Sequence, residues 1–533
     1  MSNSERMIRT IAAAVLGARQ SRRNFLQRAL GAGMTLAAAE ALLAPGAQAA
    51  GRQGGFARLG LAHGSSTDSL DPAGYPDSFT QTAFWGGLSN NLTEVVADGS
   101  VRPELAESYE ASTDASTYIF RLRRGVTFHN GKELTAEDVI ASIRHHMGEQ
   151  SNSAAKSILV SILDIKADGP HAVVFTLSAP DADFPYILSD MHLPIMPSQD
   201  GVADWVSGAR TGPFVLESFE PGVSAKLRRN PDYFKDGLPY FDEVEVLAIP
   251  DVVARMNALN AGEVDFIARP DIRTLDLLTR NPNVEVVELT GYGHYTLPMN
   301  VTVAPFDNVH VRKALKYAID REEIVRKVFF GHASPGNDNP IAPSVKFAID
   351  PAPIHSYDPD KAREHLRLAG LDSLTVDLSV ANAAFEGAID AALLIRESAA
   401  RCGITVNVVR EPDDAYWGNV WMAKPWCASY WSGRATIDWM FSTAYAGGAA
   451  WNETFWDHPR FNELLAAARG ELDETKRAAM YAEMQQLLHD DGGAIVVVFN
   501  NYLMAHSKRL GHGVVAANWE NDGMKIAERW WMA

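Results

Sequence analysis

Side chains able to do covalent chemistry are few and scattered in this chain of 533 residues, which carries two cysteines and fifteen histidines. A nucleophile elbow, a phosphate-cradling Walker loop, an H-E-x-x-H zinc helix and paired C-x-x-C motifs are all missing from it. Each of those motifs works by fixing two or more reactive groups at one helical turn or one tight loop. The adjacent pair His145-His146, like the histidines as a whole, has no such spacing and reads as surface or core histidine. Cys402 and Cys427 form neither a metal framework nor a disulfide scaffold. Cys402 closes a helical pattern and Cys427 lies in a strand pattern, which favours two separately buried thiols, although an oxidising compartment would permit a bridge. No catalytic set, metal-ligand set or cofactor motif is expected, so the function is sought in binding.

The elements that would position a binding site alternate between strand and helix, an α/β pattern with several sheets. Tyr118–Leu122, Ala172–Leu177 and Ala494–Phe499 read as strands. Thr135 opens a helix as N-cap with Asp138 three residues on. The apolar positions of Val311–Val328 share one face and predict a single amphipathic helix, and further helices are expected over Tyr357–Leu368 and Asp473–Leu488.

The N-terminus carries a different kind of signal. Arg22-Arg23 precede the apolar stretch Ala29–Leu43, and the small-x-small triplet Ala47-Gln48-Ala49 follows it. This order resembles a twin-arginine export signal, so residues 1–49 are expected to be removed and the mature chain to begin near Ala50 in the periplasm. No cysteine follows the cleavage site to accept a lipid anchor. Loss of the arginine-rich leader takes the net charge from −18 to about −22. That acidity argues against nucleic acid or an anionic lipid surface as partner, since both need a basic face. The remaining chain, about 484 residues, is too long for one core and should form two or three lobes. It contains no apolar run long enough to cross a bilayer.

Four segments carry a family resemblance. They are Pro103–Tyr109 continuing through Tyr118–Lys132 to Val139; Thr211-Gly212-Pro213-Phe214 with Arg229-Asn230-Pro231-Asp232-Tyr233-Phe234; Ala304–Leu315 running on to Arg321; and Tyr481–Phe499. In this order they resemble the extracellular solute-binding proteins, family 5, which include the dipeptide-, oligopeptide- and nickel-binding receptors of ABC importers. The resemblance implies a two-lobed periplasmic-binding-protein fold of the large peptide-binding class, with two hinge strands and an inserted domain. It places lobe I in residues 50–93, 206–295 and 500–533, the insert in 94–205 and lobe II in 296–499. It also implies a monomeric receptor that closes on a solute and docks on an inner-membrane permease. The alternatives are a metal-chelate receptor of the same fold and, from another class, an exported hydrolase. The hydrolase would need a nucleophile or metal motif that the sequence does not offer.

The resemblance also selects site residues. Peptide receptors of the family follow an aromatic-rich strand with an acid that pairs with the peptide's amino terminus. The matching stretch here is Ser429-Tyr430-Trp431-Ser432-Gly433-Arg434, in which Arg434 reverses the charge. A guanidinium at that place favours a carboxylate or phosphate over an ammonium group. Pairing of Arg434 with Asp438 inside the protein is the alternative. Tyr430 and Trp431 either stack on ligand or fill the interlobe core. Tyr416 or Trp417 falls near a pocket-lining position, and His294 and Tyr295, expected just before the first hinge strand, either face the cleft or serve structure. Asp77 matches a first-lobe loop that borders the ligand and would supply a contact for a positive group opposite Arg434.

Overall fold

Two long antiparallel strands, Val284–Pro298 and Ala494–Ser507, organise the molecule. The computed structural model describes residues 51–148, 151–413 and 416–533, and the expected twin-arginine signal and cleavage site, in residues 1–49, lie outside the described residues. Pairing of the long strands runs from Val284↔Ser507 to Thr290↔Asn501, breaks, and resumes from His294↔Phe499 to Pro298↔Ala494. Gly291 and Gly293 lie in the break, pressed against Asn500 so closely that a Cβ at Gly293 would stand 2.5 Å from its side-chain oxygen.

The strands change partners at that break. On one side Ala494–Ser507 pairs with Phe266–Ala268, which continues through Phe56–Leu61, Glu243–Ala248, Ser224–Arg229 and Phe214–Glu220. On the other side Ser429–Trp431 adds to Val284–Pro298, and Ala333–Pro335 adds to Ala494–Ser507. Separate apolar cores follow the division. One gathers Leu59, Phe84, Phe214, Phe266 and Trp530; another gathers Met299, Leu315, Leu378, Ile395 and Val497. The residues Ala494–Phe499 are buried on both faces, which is why the sequence shows them as an unbroken apolar run rather than an alternating one. This is a two-lobed α/β fold in which the paired strands pass from one lobe to the other.

A third core belongs to the antiparallel sheet Ala106–Ala111, Thr117–Leu122, Ala172–Leu177 and Ile162–Ala167, packed by the helix Ala136–Met147. That helix begins as its sequence predicts: Thr135 and Asp138 form a reciprocal capping box. The helices expected near 357–368 and 473–488 occur at Pro359–Leu368 and Glu474–Asp491, capped by Asp358 and Asp473.

The helix expected over 311–328 is instead two, Val309–Ala318 and Arg321–Lys327. Ile319 adopts an extended conformation (φ −98°, ψ 119°), and the Asp320 side chain caps the second helix by accepting from the Glu323 amide. Apolar periodicity survives the interruption, so hydrophobic pattern alone hides the break. The two cysteines are free and separately buried, and burial raises the pKa of both thiols. No helix among the described residues is long and apolar enough to cross a membrane.

Candidate functional site between the lobes

The wall contributed by the second lobe is built on the edge strand Ser429–Trp431, in register with Thr296, Tyr295 and His294. Side chains alternate along a strand, so Tyr430 and Trp431 face opposite ways. Tyr430 is 47% exposed and meets the exposed Trp417 edge-on at 5.5 Å. Trp431 is buried and its indole N–H donates to Glu453 at 2.9 Å, while Trp421 donates to the other Glu453 oxygen. Burial raises the Glu453 pKa against the lowering effect of these hydrogen bonds. Trp431 is therefore fixed as part of the wall, whereas Tyr430 and Trp417 offer free aromatic surface. Tyr416, the alternative to Trp417, is buried and its hydroxyl donates to the Ala428 carbonyl at 2.8 Å.

Beyond the strand the chain turns at Gly433, where a Cβ would lie 2.0 Å from that of Tyr292. Only glycine allows this approach of the turn to the long strand. The turn delivers Arg434 just before a helix, Ile437–Ala444, that is capped by Thr436. The Arg434 guanidinium donates to the Ser432 carbonyl at 2.8 Å and hydroxyl at 3.1 Å, and it lies 5.5 Å from the Trp439 ring and 5.8 Å from the Trp431 ring. Its Nε is buried with no hydrogen-bond partner. Among the described residues no carboxylate reaches it at ion-pair distance. Burial lowers its pKa, and the field of Asp190 only partly offsets this.

The internal partner suggested by spacing is committed elsewhere. Asp438 is bonded to Arg469 at 3.0 Å and to Ser442, so the Arg434–Asp438 pair is not formed. Asp438 belongs to a contact between the second lobe and the 106–177 sheet region, in which Arg477 pairs with Asp183 at 2.6 Å and the Ala182 amide donates to the Arg469 carbonyl at 2.7 Å. Burial, with Asp183 and Asp438 close by, pushes Asp181 in the same contact up to about 7.

The facing wall brings Trp85, Asp190, Trp519, Lys525 and Arg529 toward Ala435 and Trp439. About 430 Å³ of empty space lies between the walls. Lys525 is already engaged by Glu94 at 3.0 Å and by Glu104 at 2.5 Å, and Lys235 joins Glu104 to Glu528. These lysines are matched by carboxylates, whereas Arg434, next in sequence to the lining residue Ala435, has none at ion-pair distance among the described residues.

His294 and Tyr295 take the structural alternative, and Asp77 a place other than the one expected. His294 lies within the first long strand rather than ahead of it, is 0% exposed, and burial pushes its pKa down to about 3. Tyr295 stacks face to face on Phe385 at 4.3 Å in the second lobe. Asp77 uses its carboxylate as a helix N-cap, accepting from the Phe79 and Thr80 amides at 2.9 and 3.2 Å. Asp190, not Asp77, is the carboxylate whose field reaches Arg434. Asp190 and Glu453 have no local motif in the sequence. Trp439 had one usable signal, its position one helical turn after the Thr436 cap.

The model of bacterial extracellular solute-binding proteins, family 5, matches residues 100–453. The chain belongs to this family. The solute-binding protein is 29% identical over 472 residues to the glutathione-binding protein GsiB of Salmonella choleraesuis, covering 84% of this chain and 90% of that one. It is 28% identical over 475 residues to GsiB of Escherichia coli K12, with the same shares covered. Among solved structures it is similar to HbpA2 from Haemophilus parasuis, with a TM-score of 0.80 at 22% identity, covering 87% of this chain and 98% of that one. It is also similar to the periplasmic binding protein DppA of Helicobacter pylori in complex with the peptide STSA, with a TM-score of 0.68 at 24% identity, covering 90% and 98%. The solved structures share the two-lobed fold, and the family is one of solute-binding proteins rather than enzymes.

Proposed function

We propose that this protein is a monomeric periplasmic receptor that captures a peptide or peptide-like solute bearing a carboxylate and delivers it to an inner-membrane ABC permease, without chemically altering it. The observation that carries this reading is Arg434: a half-buried guanidinium one residue before Ala435 of the cavity lining, with a buried, unpartnered Nε and no carboxylate at ion-pair distance among the described residues. A solute carboxylate would supply the missing charge and accept two parallel hydrogen bonds. Asp190 on the facing side, whose Oδ1 already holds the His192 amide and ring at 2.9 and 2.8 Å, would meet the ammonium end of the same molecule through its other oxygen. Tyr430 and Trp417 supply ring surface for apolar parts. The glutathione-binding relatives and the peptide bound to the Helicobacter protein support a solute of this kind.

Closure on the solute would use the long strands as hinges, with lobe I formed by residues 50–93, 206–295 and 500–533, the insert by 94–205 and lobe II by 296–499. Delivery to the periplasm would follow the twin-arginine route, with cleavage after Ala49. The test is a thermal-shift and calorimetric panel of glutathione, di- and tripeptides, and their C-terminal amides. A solute at a hundredfold excess over Kd stabilises the folded form by about 2.7 kcal/mol. Free acids are expected to raise the unfolding temperature and amides to do so much less. Conversion of a solute into a new species during the assay would overturn the receptor reading.

A further inference from the structure

We propose that Glu285, His506 and His512 form a site for a borderline divalent transition-metal ion such as Zn²⁺, separate from the solute cleft. Glu285 and His506 are direct partners across the two long strands, at the end far from the strand break. Directly opposed side chains on such a pair are about 5 Å apart at Cβ. His512 returns to them because the chain reverses after Ser507, and Leu510-Gly511 pairs with the C-terminal strand Trp531-Met532. One donor atom from each of the three residues lies within 4.8 Å of the other two. None of the three lines the interlobe cavity.

The chemistry of the donors points to a metal rather than to a chance grouping. His506 is 1% exposed, and its Nε2 has no hydrogen-bond partner. A buried imidazole nitrogen left in that state is costly. Its Nδ1 is 2.9 Å from the Ser507 carbonyl, and the Nδ1 of His512 is 2.8 Å from the Gly513 carbonyl. A carbonyl only accepts, so each Nδ1 carries the proton and each Nε2 holds a lone pair. This is the arrangement by which metal-ligating histidines are oriented from behind. Trp530 packs against both rings, with centroids 5.0 Å from His506 and 4.5 Å from His512, and holds them together.

Two imidazoles and one carboxylate suit zinc, nickel or cobalt, with water completing the shell. Donors on one tetrahedral zinc stand about 3.3 Å apart, from bonds of about 2.0–2.1 Å. The residues must therefore draw in slightly, and the exposed Glu285 and half-buried His512 have room to do so. A bound ion would tie the C-terminal segment to the hinge strands and so stabilise that end of the first lobe.

The test uses tag-free mature protein stripped with chelator, titrated with ZnCl₂ by calorimetry and, in parallel, with CoCl₂ by visible absorption. One ion per chain, a raised unfolding temperature and a cobalt ligand-field band are expected. Glu285→Gln and His512→Ala should each weaken zinc binding at least tenfold, while the unfolding temperature without metal stays within a few degrees. Glu285 is on the surface, so its variant tests the site without disturbing the core. Zinc affinity equal in wild type and both variants, or no binding below millimolar zinc, would overturn the proposal. Solute binding is a separate measurement and neither result depends on it.

Discussion

Arg434→Ala separates a ligand anchor from a structural side chain because the structure gives its guanidinium so little else to do. Its hydrogen bonds go to Ser432 and Gly433 in its own turn, and its remaining contacts are with the Trp431 and Trp439 rings. Loss of cation–π contacts costs about 0.5–1 kcal/mol each at exposed sites. Removing an uncompensated buried charge works in the opposite direction. The ligand-free variant should therefore differ from wild type by about 1 kcal/mol or less, below about 4 °C in unfolding temperature for a chain of this size. With solute present the loss should be larger. Truncating one partner of a buried charge pair costs about 2–5 kcal/mol, which is roughly 30- to 5000-fold in Kd. Calorimetry with the free acid and its amide completes a double-mutant cycle. Amidation should weaken wild-type binding by a similar factor and have almost no further effect in the variant. A destabilised ligand-free variant that still prefers the free acid would refute the anchor.

Three further outcomes are expected. The Asp181 pKa is raised to about 7 by burial beside Asp183 and Asp438, so the folded form binds its proton more tightly than the unfolded chain does near 3.9. Its contribution is then most favourable below about pH 4 and is lost as the pH rises to about 7. Asp181→Asn should flatten that slope in thermal unfolding, and parallel profiles for variant and wild type would count against it. Gly433→Ala forces a Cβ to within 2.0 Å of that of Tyr292, so it should destabilise by about 1–3 kcal/mol or push the turn off the long strand; unchanged stability and unchanged solute affinity together would contradict the packing account. Replacing Arg22 and Arg23 together by Lys should leave uncleaved protein in the cytoplasm, and normal periplasmic accumulation would reject the twin-arginine route.

The sequence carried most of the architecture because capping and periodicity are local. Thr135 with Asp138 and the buried run at Ala494–Phe499 act within a few residues of themselves. The helix break at Ile319 escaped because a capping aspartate, Asp320, can interrupt a helix without disturbing its apolar stripe. The site was legible only in part. Arg434 stood out because its charge is reversed at an aligned position, whereas Asp190 reaches it from a segment 244 residues earlier in the chain. The Glu285, His506 and His512 group depends on strand register, which no spacing between His506 and His512 reveals. Asp77 was misleading for a physical reason: an aspartate before a serine is equally suited to cap a helix, and it does so here.

The central claim is that the interlobe cleft captures a small anionic solute through Arg434, and the most direct measurement is mass spectrometry of small molecules released on denaturing protein purified from its native host. Wild-type protein is expected to release one class of carboxylate-bearing, peptide-like solute at up to one per chain, and Arg434→Ala protein to release far less. Equal recovery from both proteins, or a solute without an anionic group, would contradict the account.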